Sequence, residues 1–261
     1  MILRKLILKK IKTKLKKNRI RQKARLKEER NIFTTILNHD IKTPLIAQMR
    51  SLELVLKGQF GKLDDENKEI LSEVFNSNCF LLEIITNAIF LADFENEQPK
   101  PVVENIDFFE EIKDCCNVVK NFAQEKSQNI ILKPIKSKNI NLQADRRFIQ
   151  KILYNILAGS ISFGFEKSDI EIFIKENKET ISFYAKNKSV YMTKEKLESL
   201  FEDKKNMTDF NQLGMSLNLN IAKKLIMAHN WSIIAESKKD NSLSFGFVVK
   251  KQQPLIASKA K

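Results

Sequence analysis

The chain has 261 residues, enough for one or two domains, and an apolar share of 43% that supports a buried core. Only six glycines and five prolines argue against a loop-rich or all-β chain. Three cysteines, Cys79, Cys115 and Cys116, form no CxxC pair. That excludes a disulfide framework and a cysteine metal site, and fits a reduced, cytoplasmic compartment.

The net charge of +14 belongs to one end of the chain. Residues 1–30 carry 14 Lys/Arg against 2 Asp/Glu, while the remaining 231 carry 32 against 30. Leu3, Ile7, Ile11 and Leu15 recur every four residues, so 1–30 reads as a basic amphipathic helical tail. No run in it approaches the about 20 apolar residues that span a bilayer. It also lacks the uninterrupted apolar core of a signal peptide. One reading is attraction to an anionic membrane, which would make the chain peripheral at the inner face of the cell membrane. Another is a solvated helix extending the next element. Phosphate contacts with nucleic acid rank below both.

Residues 31–95 read as two long helices. In the first, Phe33, Ile36, Leu37, Ile41 and Leu45 form one helical face around Asn38-His39-Asp40-Ile41-Lys42-Thr43-Pro44-Leu45. His39 is one of only two histidines. Thr43 follows at i+4 and shares its face. An imidazole there can attack a phosphoryl group, and Asp40 can take or orient its proton. Thr43 can position a water, and Pro44 removes a backbone N–H and loosens the turn. These eight residues alone fit a stray surface histidine beside a kink equally well.

Leu45, Met49, Leu52 and Leu56 continue as a coiled-coil seam. Gly58-Gln59-Phe60-Gly61 breaks the helix, and Asp64 or Asp65 caps the next. Leu71, Val74, Asn78, Leu81, Ile85, Ala88 and Ala92 form the second seam. A short connection makes the pair an antiparallel hairpin. One hairpin cannot bury both seams, whereas two hairpins from two chains would, as a homodimeric four-helix bundle. Residues 96–101 form a polar, proline-bearing linker.

Residues 102–250 alternate strands and helices. Strands are expected near 102–106, 129–134, 140–143, 169–175, 180–186, 231–236 and 243–249. Helices are expected near 108–125, 147–163, 194–201 and 218–228. The mix predicts an α/β sandwich with helices on one sheet face, an α+β chain overall. Residues 251–261 read as a disordered tail. His229 reads as a helix-end histidine, and Trp231 as a core residue opening a strand.

In this order the pieces resemble a two-component sensor histidine kinase over residues 31 to about 250. Asn38–Leu45 resembles that family's H-box, and the hairpin its dimerisation and phosphotransfer domain. By that resemblance His39 is the phospho-accepting histidine, Asp40 assists transfer to a response-regulator receiver domain, and Thr43 supports phosphatase activity.

The ATP-binding half departs from the family's pattern. The N-box reads Asn155-Ile156-Leu157-Ala158-Gly159-Ser160-Ile161-Ser162-Phe163. Asn155 is retained. Gly159 replaces the Mg²⁺-holding asparagine and offers no oxygen to a hard cation. Ser162 replaces the phosphate-facing lysine. The next box reads Asn187-Lys188-Ser189-Val190-Tyr191. Asn187 keeps an acceptor for the adenine amino group, but both glycines are absent. The last box reads Gly214-Met215-Ser216-Leu217-Asn218, with one glycine of three. There Ser216 and Asn218 are placed to cap the following helix.

The sequence therefore reads as a degenerate nucleotide fold beside a complete H-box. The leading function is a phosphotransfer protein that exchanges a phosphoryl group between His39 and a receiver aspartate. The alternatives are an active cytoplasmic kinase with a divergent site at Asn155, Asn187 and Gly214, and a non-catalytic pseudokinase scaffold. ATP and Mg²⁺ stay open as cofactors, and no other cofactor or metal is expected.

Overall fold

A computed structural model describes residues 2–97, 99–135, 140–202 and 210–251, with backbone alone at 2–13, 23, 96–97 and 210–216. By its internal contacts the chain divides into Met1–Pro99 and Lys100–Lys261.

The first unit is helical. Helix α1 (Ile2–Thr35), a π-helical turn (Ile36–Lys42) and helix α2 (Thr43–Leu56) follow without a break. Thr35, Lys42 and Thr43 at the junctions all keep right-handed helical dihedrals. Helix α3 (Asp65–Glu97) returns antiparallel, and Arg30 on α1 meets Glu95 on α3 at 2.5 Å. The turn between α2 and α3 closes by two backbone bonds. Gly58 N–H donates to Val55 O at 2.9 Å and Gln59 N–H to Leu54 O at 3.1 Å. The left-handed residue these bonds require is Gly58, with φ +73°. Asp64 caps α3, its carboxylate accepting from Asn67 N–H at 2.8 Å.

Leu45, Ile84, Ile85 and Leu91 are buried between the helices. Phe33, Ile36, Ile41, Ile46, Leu54, Ile70 and Val74 stay exposed in the single hairpin. By length and composition alone, α3 is long and apolar enough to cross a membrane. Here it lies along α2, and its apolar seam is interrupted by Asn78 and the buried Asn87.

Among its described residues the second unit has seven strands, β1 (Glu104–Asp107), β2 (Asn129–Leu132), β3 (Asn141–Ala144), β4 (Asp169–Glu176), β5 (Thr180–Lys188), β6 (Ser232–Ser237) and β7 (Ser242–Lys250). Its helices are α4 (Phe108–Glu125), α5 (Arg146–Phe163), α6 (Lys194–Ser199) and α7 (Phe210–Ala228). The main sheet has the order β2-β4-β5-β7-β6, with β2 and β4 parallel and the other pairs antiparallel. β1 and β3 pair separately.

Alternation along β5 sends Ile181, Phe183 and Ala185 into the core, beneath α5. Phe108, Phe183 and Phe247 meet there with ring centroids 5.6–6.1 Å apart. The opposite face carries a stacked Phe173–Tyr184 pair at 4.9 Å. Gly246 is required opposite Tyr184, since a Cβ there would lie 2.1 Å from Phe183 O.

In the second unit most expected elements recur within two residues of their sequence positions, and one differs in extent. Helix α7 begins at Phe210 rather than Asn218. Residues 210–228 contain no proline and a single glycine, which costs a helix only about 1 kcal/mol, so the apolar period carries through. Asn218 is therefore an interior helical residue and not a cap. The tail expected to be disordered lies outside the described residues beyond Lys251.

Candidate functional site

His39 sits in the middle of the π-helical turn, exposed together with Asp40 and Thr43. A π-turn closes its bonds five residues apart rather than four. Thr43 Oγ1 adds a bond of the same span, donating to Asn38 O at 3.3 Å. Pro44 follows in the first turn of α2 and has no N–H to give. In a regular α-helix its ring would press on the carbonyl of Asp40, and the wider turn removes that conflict. Among the described residues none hydrogen-bonds or ion-pairs with the His39 ring or the Asp40 carboxylate. Both groups are therefore open to a docking partner. The π-turn has no signal in the sequence beyond Pro44.

The nucleotide-like half is organised differently from its boxes. Helix α5 ends at Phe163, leaving its last carbonyls without partners in the helix. Side chains from two segments, 126–128 and 187–189, reach these carbonyls and that of Ser160. Asn187 Nδ2 donates in a short bond to Ser160 O, which also accepts from the Gly164 backbone N–H at 3.0 Å. Gln128 Nε2 reaches Ile161 O at 3.2 Å, and Lys126 Nζ reaches Ser162 O at 2.8 Å. Ser189 Oγ donates to Phe163 O at 2.6 Å. Burial lowers the Lys126 pKa from the usual lysine range. Asn187 and Ser189 thus serve as C-terminal caps of α5. Asn187 Oδ1 is left buried without a partner.

Asn155 is fully buried, with its Nδ2 donating to Lys151 O at 2.6 Å on its own helix and its Oδ1 unpartnered. Gly159 packs against α7, and a Cβ there would lie 2.9 Å from Leu219 Cδ2. Gly214 lies inside α7, beyond the first turn whose N–H groups are free for an anion. Asn155 and Asn187 are therefore engaged with α5 carbonyls, and Gly214 is part of a helix rather than a loop. Gly159 offers no side-chain oxygen, and the ammonium beside Ser162, that of Lys126, is taken up by the Ile161 and Ser162 carbonyls. Mg²⁺ with a triphosphate does not fit this arrangement.

Sequence reasoning underrated one junction, at Asp145 and His229. Asp145 caps α5, accepting from Arg147 N–H at 3.0 Å and Phe148 N–H at 3.4 Å. It also accepts from Val102 N–H at 2.9 Å and Arg147 Nη2 at 2.8 Å. The Arg147 guanidinium, against burial, holds its pKa down to about 2. His229 Nε2 accepts from Asp145 N–H, and its Nδ1–H donates to Leu225 O at 3.0 Å. Both roles require the neutral ring, and burial lowers the His229 pKa accordingly. A cation at this helix end is not what the fold uses. The His229 ring stacks on Trp231 at 4.4 Å, and Trp231 stacks on Phe247 at 5.3 Å.

Cys115 and Cys116 on α4 are free thiols whose pKa values burial pushes up to about 12 and about 11.

Residues 144–253 match the family described as histidine kinase-, DNA gyrase B- and HSP90-like ATPase. Over 248 residues the chain is 21% identical to the sensor histidine kinase WalK of Bacillus subtilis, covering 90% of this chain and 39% of that protein. It is 23% identical over 235 residues to the heme sensor protein HssS of Staphylococcus saprophyticus, covering 89% and 49%. The chain thus spans less than half the length of these relatives. Among solved structures, full-length ShkA in complex with AMPPNP superposes with a TM-score of 0.62 at 18% identity, over 83% of this chain and 45% of that one. Histidine kinase ThkA in complex with the response regulator TrrA gives 0.57 at 16% identity, over 88% and 66%. These likenesses span the helical and the α/β units together, so the chain is similar to sensor histidine kinases over both units.

Proposed function

We propose that the chain is a phosphotransfer protein of a two-component signalling system, exchanging a phosphoryl group between His39 and the aspartate of a response-regulator receiver domain. One observation carries this reading. An exposed, unengaged imidazole sits in a widened turn, in a chain whose metal and phosphate positions are given over to packing and capping.

In the forward step a ring nitrogen of His39 attacks the phosphorus of the regulator's aspartyl phosphate. The P–N bond forms as the acyl P–O bond breaks, and the aspartate leaves as a carboxylate. The proton displaced from the imidazole passes to Asp40 or to water. Thr43 Oγ1 donates to Asn38 O and keeps its lone pairs to hold a water for a separate activity, hydrolysis of the regulator's aspartyl phosphate to carboxylate and inorganic phosphate.

The active unit is a homodimer on this reading. Ile36 and Ile41 are 44% and 40% exposed in the single hairpin, flanking His39. A second hairpin would cover them and complete a four-helix bundle. The receiver partner and a cytoplasmic location follow from the same reading, and the ThkA complex with TrrA supports it by analogy.

The test is transfer of label from a phosphorylated response regulator. Acid-labile label that disappears in His39→Ala is the expected result. Label that persists in His39→Ala overturns the assignment. A parallel reaction with labelled ATP and Mg²⁺ separates the second reading, an active kinase, which the unpartnered Asn187 Oδ1 favours. His39-dependent label from ATP would establish it.

A further inference from the structure

Residues 1–17 carry eight Lys/Arg and no Asp/Glu, and seven of the seventeen are Ile or Leu. Residues 18–30 are different, with six Lys/Arg, two Asp/Glu and only Ile20 and Leu26 as large aliphatics. The charge and the apolar content are therefore concentrated in the first half of α1. Helix α3 meets α1 at the Arg30–Glu95 pair, two residues before α3 ends at Glu97. Every described side chain from Lys14 to Glu29 is exposed, with Leu15 at 56% and Ile20 at 59%. The remainder of this stretch is a solvated stalk, tied by the Arg25–Glu29 pair at 2.8 Å. At about 1.5 Å per helical residue, Leu15 stands roughly 36 Å along the rod from His39.

We propose that residues 1–17 are a lipid-docking segment that lies on an anionic membrane surface, with 18–35 as the stalk that carries the His39 turn. Three occupants compete for this surface. A second copy of the segment would bring eight more cations against the first eight, with no acidic residue in either to offset them. Nucleic acid would satisfy the charge but leave the period Leu3, Ile7, Ile11 and Leu15 in water. An anionic lipid surface satisfies both, taking the aliphatic residues into the acyl boundary and the lysines at the headgroups. The inference stands on α1 alone and is independent of the phosphotransfer reading.

The test is co-sedimentation of the full chain with phosphatidylcholine vesicles carrying about a third phosphatidylglycerol, against phosphatidylcholine alone. Binding to the anionic vesicles only, weakening as salt rises, is expected. Two variants assign it. Replacing Lys5, Lys9, Lys12 and Lys16 together by Gln should weaken binding by at least about tenfold. Ile7→Ser with Ile11→Ser should also weaken it, with helicity by circular dichroism unchanged in the α/β unit. Failure to sediment with the anionic vesicles overturns the proposal. So does DNA binding that survives the isoleucine changes, which would assign nucleic acid. Loss of an oligomer in the isoleucine variant without any vesicle binding would assign a second copy.

Discussion

The backbone N–H of Asp145 donates to Nε2 of His229 at 3.1 Å, joining the start of α5 to the end of α7. Because Nδ1–H is held by Leu225 O, the ring can serve both partners only when neutral. Protonation puts a donor against a donor. Phe148 and Trp231 enclose the ring, Leu225 faces Nδ1, and Asp145 is the charged group beside it.

This makes the α/β unit sensitive to acid in two windows. Burial lowers the folded pKa of His229 below the ordinary histidine value of 6.5, so the unfolded chain binds the extra proton first. Stability is therefore full above that value and falls as pH drops from it toward the folded pKa. Asp145, down from 3.8 to about 2, contributes stability that is lost only as pH falls through that lower range. Trp231 is the sole tryptophan and stacks on His229, so its fluorescence reports unfolding of this unit. The urea midpoint should fall between neutral pH and about pH 5 in the wild type and stay flat in His229→Gln.

Asn187→Asp should destabilise the protein at neutral pH by about 1–3 kcal/mol, because a carboxylate would face Ser160 O in place of a donor. The carboxyl can restore the bond only when protonated, so its folded pKa is raised. The folded state then binds the extra proton, and the deficit should shrink as pH falls. A gain in stability at neutral pH, or ATP-dependent labelling of His39, would refute the capping role.

Much of this architecture was legible in the chain. The 3.6-residue period marks α4 and α5, period-2 alternation marks β4, β5 and β7, and Asp64 and Asp107 announce their helices as caps. The reasons the rest was hidden are physical. A π-turn depends on where one extra residue is accommodated, and only Pro44 hints at it. Helix α7 starts earlier than Gly214 suggests, because a helix tolerates one glycine when its neighbours hold the apolar period. The caps on α5 come from Lys126, Gln128, Asn187 and Ser189, up to 36 residues away, and no local pattern pairs them.

Gly159→Asn tests whether the metal position can be rebuilt. Its Cβ would lie 2.9 Å from Leu219 Cδ2 in a fully buried contact between α5 and α7. Overpacking should cost about 1–3 kcal/mol, read as a lower urea midpoint of Trp231 fluorescence. Mg²⁺-dependent nucleotide binding should not appear, since Ser162 O remains tied to Lys126 and Asn187 to Ser160. Calorimetry with ATP and Mg²⁺ checks this, and measurable binding would mean that the asparagine alone was missing.

Pro44→Ala tests the turn that presents His39. With an N–H restored at 44, the segment Ile36–Lys42 is free to tighten into an ordinary α-helix. Removing the extra residue from the turn rotates His39 by about 100° relative to the seam of α2, since a helix advances 3.6 residues per turn. Stability should change by no more than about 1 kcal/mol, because a proline in the first turn of α2 is already tolerated. Amide hydrogen exchange across 36–44 should slow, as the tighter turn makes better-aligned bonds. Label transfer from a phosphorylated response regulator should drop by about tenfold or more, as expected when a nucleophile is misplaced. Slower exchange with unchanged transfer would separate the two roles: the π-turn would then be the fold's accommodation of Pro44 alone, and the orientation of His39 would have to come from the partner hairpin.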